Sequence, residues 1–155
     1  MKWIIACVFF LVLNGQISAQ STLYDVIPEQ LAGRWKGTIT QDTFAHYLSK
    51  QFDVELQIRK NRNTLRGISK IRIDQSYAVF RFNGSVRGLE VNIREYKLLD
   101  SDIPDSYMWC LKKMILQFGF HKETYTLKGD WTGKGFGGNP CKPGRVELIK
   151  QMIRA

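Results

Sequence analysis

An alternation of apolar and polar residues with period two recurs in eight short runs, and it constrains this chain more than any other feature. Trp35, Gly37, Ile39 and Gln41 share one face of the first run, against Arg34, Lys36, Thr38 and Thr40 on the other. Phe52, Val54, Leu56 and Ile58 define the second, and Leu65, Gly67, Ser69, Ile71 and Ile73 the third. Ala78, Phe80 and Phe82 form the fourth, and Leu89, Val91 and Ile93 the fifth. Trp109–Phe118, Thr124–Trp131 and Arg145–Lys150 complete the set. Each run reads as a half-buried strand, and the spacing leaves little room for a long helix.

The connections predict the topology. Tight turns near Asn61-Arg62-Asn63, Arg87-Gly88 and Gly119–Lys122 join strands 2 to 3, 4 to 5 and 6 to 7 as hairpins. Asp42–Lys50, Leu98–Tyr107 and Thr132–Pro143 are long, whereas Asp74-Gln75-Ser76 is short. In an up-and-down meander these four connections share one end, which becomes the expected mouth. Strand 8 then runs antiparallel to strand 1, so closure is available and removes both exposed edges. The expected fold is an all-β, eight-stranded antiparallel up-and-down barrel, whose interior side chains fill or which holds one small ligand. Ile27–Leu31 is expected to make a helical turn that plugs the short-loop end, and Asp42–Ser49 a brief helix over the mouth.

The first nineteen residues read as an export signal. Met1-Lys2 is a positive start, Trp3–Leu13 an apolar stretch, and Ile17-Ser18-Ala19 a small-residue cleavage pattern. Eleven apolar residues are too few to cross a bilayer, and no later run approaches that length, so the chain is not expected to be transmembrane. Residues 20–155 then form one barrel domain, secreted or periplasmic. Cys7 leaves with the signal, and Cys110 and Cys141 remain as an even pair in an oxidising compartment, which predicts a disulfide. It closes a loop of about 30 residues, worth roughly 3–4 kcal/mol in the chain-entropy model. Both cysteines fall at the mouth end of the meander, so the bond and the topology support each other. The two histidines, His46 and His121, are isolated, so neither a metal nor another cofactor is expected. A hydrophobic share of 44% and a charged share of 24% exclude wholesale disorder.

Leu31-Ala32-Gly33-Arg34-Trp35 places a Gly-x-Trp at the start of the first strand. In an eight-strand exported meander this resembles the calycin superfamily and its lipocalins. The fuller pattern adds Trp35-Lys36-Gly37 with Gln41, Leu127-Lys128-Gly129-Asp130-Trp131 and Cys141-Lys142-Pro143-Gly144. That pattern is similar to small exported proteins of Bacteroidetes-type bacteria. The resemblance implies a lipocalin-like barrel that binds a small apolar ligand without catalysis. It also implies a structural role for Trp35 at the closed end. Fold alone does not fix function.

Extending the inward parity of strands 1, 3 and 5 places Gln41, Ser69 and Glu95 inside. On strand 6 the face of Met114, Leu116 and Phe118 extends back to Lys112 and Cys110. The inward placement of Glu95 requires that alternation in strand 5 run unbroken to that point, since a bulge would reverse it. A buried charge must be paired or solvated, so Glu95 and Lys112 are either an internal ion pair or the groups that orient a ligand's polar end. The expected ligand contacts are Gln41, Ser69, Glu95, Lys112 and Trp131, with Phe80 and Phe82 as apolar walls.

A second reading is an interaction module with a filled core. The net charge is +9, and Arg59, Lys60, Arg62, Arg66, Lys70 and Arg72 fall in a stretch without an acid. That stretch suits an anionic surface such as lipid head groups or acidic polysaccharide. No aromatic stacking motif interleaves it, so nucleic acid is not an expected partner. The third reading is a barrel enzyme with Glu95 as base. Enzyme motifs are otherwise missing: Gly133-Lys134-Gly135 lacks phosphate-loop spacing, and Ser69 has no Gly-x-Ser-x-Gly context. No catalytic activity is expected.

Overall fold

Residues 28–42, 50–103 and 109–152 are described by the computed structural model. The expected export signal and, Asp42 aside, the short helix expected over the mouth lie outside the described residues. Within them the chain forms α1 (Pro28–Leu31) and then β1 (Gly33–Gln41), β2 (Lys50–Asn61), β3 (Thr64–Ile73) and β4 (Ser76–Arg87). It continues through β5 (Glu90–Ser101), β6 (Cys110–His121), β7 (Thr124–Gly135) and β8 (Pro140–Lys150). Every neighbouring pair is antiparallel, and β8 returns to β1 to close the barrel. No described helix is long and apolar enough to cross a membrane.

Alternation decides which side chains fill the barrel. Leu56, Ile58, Leu65, Phe82, Val91, Ile93, Leu116, Leu127 and Leu148 are buried together in one apolar core. Two-residue turns at Arg62-Asn63, Gly88-Leu89 and Lys122-Glu123 close the end opposite the mouth. Here α1 acts as the plug. The Trp35 indole donates to the Leu31 carbonyl at 2.8 Å, and its ring meets Phe118 edge-on at 6.5 Å. The Lys150 ammonium lies 5.8 Å from the centre of the same ring. Trp35 is therefore a structural residue of the closed end, with its one polar atom satisfied.

Two connections are shorter than their sequence suggests. β5 continues to Ser101, where Leu98 onward reads as loop, and β7 and β8 reduce the stretch from Thr132 to Pro143 to the turn Phe136–Asn139. Bulges account for the misreading. Arg81 pairs with Lys97 but Phe82 with Glu95, which leaves Tyr96 as an extra residue on β5. Val79 pairs with Asp100 but Phe80 with Leu98, which leaves Leu99 as another. Each bulge resets the alternation, so Glu95, Leu98 and Ser101 all turn inward at intervals of three. The same device between Trp131 and Gly133 adds a residue to β8 near Lys142-Pro143.

Cys110 and Cys141 are joined by a disulfide, with Cα atoms 6.4 Å apart. The bond ties β6 to β8 across the intervening β7, where Gly135 pairs with Cys110 and Gly133 with Cys141. Two strand spacings amount to about 9.5 Å in a flat sheet. The shorter distance reflects a tight inward curl at the mouth. A Cβ on Gly133 would come within 2.8 Å of the Leu111 carbonyl oxygen and 3.4 Å of the Cys110 Cβ, so only glycine fits beneath the bridge.

Candidate functional site

The mouth is where the regular ladders stop and side chains take their place. β5 and β6 pair from Glu90–Gln117 to Arg94–Lys113 and no further. At the next position the Lys112 backbone N–H donates to Glu95 Oε2 at 2.9 Å. A carboxylate thus substitutes for the missing strand carbonyl. The Lys112 ammonium contacts the same oxygen at 3.0 Å and donates to the Cys110 carbonyl at 2.7 Å. From β3, two strands away, the Ser69 hydroxyl donates to Glu95 Oε1. Glu95 is 3% exposed and Lys112 4%.

This network satisfies the rule that a buried charge needs a partner. Burial pushes the Lys112 ammonium below the ordinary lysine value, and the Glu95 charge works against that effect. The ammonium lies over Phe80, with Nζ 4.3 Å from the ring centre. Phe80 meets Trp109 edge-on at 6.3 Å, and the Trp109 indole donates to Ser101 Oγ at 2.9 Å. Trp109 therefore fills the gap where β5 and β6 separate.

A matching substitution occurs at the opposite seam. β1 and β8 pair from Trp35–Lys150 to Ile39–Val146. Beyond them the Trp131 indole reaches from β7 past Gly144 on β8 and donates to the Thr40 carbonyl at 2.7 Å. A Cβ on Gly144 would meet that carbonyl oxygen at 1.8 Å and the indole nitrogen at 2.8 Å. The Arg145 N–H donates to Thr40 Oγ1 at 3.1 Å, and the Asp42 N–H to the Pro143 carbonyl at 2.8 Å.

Between these two seams lies a cavity of about 60 Å³, walled by Ile39, Phe52, Ile71, Ile73, Trp109 and Trp131, with Gln41 and Lys112 as its polar groups. The space takes a few waters or the end of a larger molecule, well below the size of a pocket that encloses a whole ligand. Of the sequence-predicted contacts, Gln41, Lys112 and Trp131 line it directly. Ser69, Glu95 and Phe80 stand behind Lys112 and hold it. Phe82 belongs elsewhere: it is fully buried against Gly67, whose missing side chain makes room for its ring. The walls Ile39, Phe52, Ile71 and Ile73 are legible as inward positions at strand ends, and Trp109 as an aromatic adjoining Cys110.

The polar groups of the site are largely committed to one another. Both Glu95 oxygens are engaged, by Ser69 and by Lys112. Lys112 uses two of its three ammonium N–H groups among the described residues, on Glu95 and Cys110, while also facing the cavity. No cluster of His, Cys, Asp and Glu suited to a metal ion occurs among the described residues. No protein-family model matches this chain, and no curated protein matches it either.

Proposed function

We propose that this protein is an exported calycin-like barrel that binds a small, largely apolar molecule at its mouth, without catalysis. The observation that carries this reading is Lys112: a nearly buried ammonium with a spare donor, lining a mostly apolar cavity whose other polar group is Gln41. Such a group orients an acceptor, most naturally a carboxylate, while the apolar walls exclude water around it. The cavity holds only that end, so the rest of the ligand extends beyond it. The closed eight-stranded meander and the Gly33-Arg34-Trp35 opening support the calycin assignment. The disulfide and the apolar N-terminal stretch support an oxidising, exported location.

The small cavity favours one other reading, a filled barrel that works through its outer wall. Native mass spectrometry of protein purified from its own source separates the two. A retained small-molecule mass, lost on denaturation, supports the carrier. Titration with straight-chain carboxylates then follows, read through the fluorescence of Trp109 and Trp131. Quenching that saturates in the wild type and vanishes in the Glu95→Gln/Lys112→Met double variant supports the Lys112 site. No retained mass and no response to any chain length removes the carrier reading.

A further inference from the structure

Strand register gathers cations that the sequence scatters. Arg59 on β2 pairs with Arg66 on β3, Arg66 with Asn83 on β4, Asn83 with Arg94 on β5, and Arg94 with Lys113 on β6. All five are exposed and share the outer face. A parallel row runs Gln57, Ile68, Arg81, Lys97. Like charges directly opposite one another destabilise a sheet, and here Arg59–Arg66 and Arg94–Lys113 are such pairs.

The rest of the wall shows the contrast. Lys128 faces Glu147 at 3.2 Å, Arg145 faces Asp130 at 3.7 Å, and Arg34 faces Glu55 at 3.0 Å. Arg59, Arg66, Arg81, Arg94, Lys97 and Lys113 have no acidic partner within 4.0 Å among the described residues. The basic run noted in the sequence divides accordingly. Lys60 is paired with Glu29, Arg62 lies in the β2–β3 turn, and Lys70 and Arg72 stand opposite Glu55 and Asp53, so of that run Arg59 and Arg66 join the belt.

We infer that this belt binds an acidic polysaccharide. The cations lie in a strip of two narrow adjacent rows that follows the convex barrel wall, at one or two strand spacings of about 4.8 Å, with Asn83 between Arg66 and Arg94. A linear polymer with one carboxylate on each sugar ring repeats at a similar interval and can follow the curve. A planar membrane meets such a strip along only part of its length. Where the rows cross β2, β3 and β4, an open groove of about 490 Å³ is lined by Arg59, Arg66, Arg81, Gln57, Asn61 and Tyr96. The amides suit sugar hydroxyls. Tyr96, 47% exposed, is the extra residue of the β5 bulge and offers a ring face for stacking.

The test is calorimetric titration of the purified protein with a six-residue oligogalacturonate, at low and high salt. Maltohexaose is the neutral control. Anionic phosphatidylglycerol vesicles and single-stranded oligodeoxythymidine are competing probes. The expected result is salt-sensitive binding to the uronate and none to maltohexaose. Arg66→Ser/Arg94→Ser should weaken it by about tenfold or more and flatten its salt dependence, because fewer counterions are released. Tyr96→Ala should weaken it with the salt dependence unchanged. These substitutions are exposed and preserve the fold. Failure to bind the uronate, equal binding to maltohexaose, or unchanged binding by the arginine variant overturns the proposal. Tighter binding to vesicles or to oligodeoxythymidine does so too and reassigns the belt.

Discussion

Glu95 Oε2 accepts from both ends of one residue: the backbone N–H of Lys112 at 2.9 Å and its ammonium at 3.0 Å. A single carboxylate thereby completes the β5–β6 ladder and neutralises a buried cation. Glu95→Gln keeps the shape but leaves the ammonium uncompensated, which should destabilise the protein by about 3–5 kcal/mol. Adding Lys112→Met should restore most of that loss. Urea unfolding midpoints of the wild type and both variants check this. A Glu95→Gln chain as stable as the wild type would show that the pair is not needed for the seam.

Alkaline pH should act on the same residue. Burial lowers the folded-state pKa of Lys112 below the ordinary value of 10.5 that it regains on unfolding. At pH between the two, the unfolded chain holds a proton that the folded chain has released, so stability rises with pH across that window. Below the window both states carry the charge and the gain is absent. Midpoints measured from neutral pH to above 10.5 should therefore rise in the wild type relative to Glu95→Gln/Lys112→Met. The Lys150 ammonium, lowered by burial as well, is common to both chains and drops out of the difference. Parallel pH profiles would remove the assignment.

Gly144 should tolerate nothing larger. Gly144→Ala drives a methyl into the Thr40 carbonyl and the Trp131 indole, so strands β1 and β8 must part. The expected cost is about 1–3 kcal/mol, with a change in near-ultraviolet dichroism as Trp131 shifts. Gly137→Ala in the β7–β8 turn has open space and should fall within about 0.5 kcal/mol of the wild type. Equal effects of the two substitutions would contradict the packing at Thr40.

Removing the disulfide should loosen one end only. Cys110→Ser/Cys141→Ser opens a loop with a sequence separation of 31 residues, worth roughly 3–4 kcal/mol. Hydrogen exchange should quicken at Trp131–Gly135, beneath the bridge, and stay slow around Trp35 and Leu127. Uniform loss of protection would mean that the bond supports the whole barrel rather than its mouth.

The period-two pattern carried the strand count, the order, the closed end and the inward faces of Gln41, Ser69, Glu95 and Lys112. It failed where the backbone leaves period two. Tyr96 and Leu99 each insert a residue into β5, so its inward positions past Glu95 fall every third residue and resemble loop. Gly133, Gly135 and Pro140 similarly blur the β7–β8 hairpin, because glycine and proline carry no alternation signal. The basic belt escaped for another reason. Its members are spread over five successive strands and align only through register, and Arg81, Arg94, Lys97 and Lys113 lie outside the acid-free run Arg59–Arg72.

Closure of β8 onto β1 also sets the order in which the chain can assemble. Three hairpins have turns of two residues at the plugged end, the Asp74-Gln75 turn at the mouth is equally short, and Phe136–Asn139 has four residues, so most of the meander can form from local contacts. The β1–β8 ladder joins the two ends of the described sheet, the largest loop to close, and its formation is the expected slow step. Until then both end strands are bare edges, each able to accept the complementary strand of another copy. The same seam that makes the finished barrel edgeless therefore defines the interval in which the nascent chain is open to swapping and aggregation.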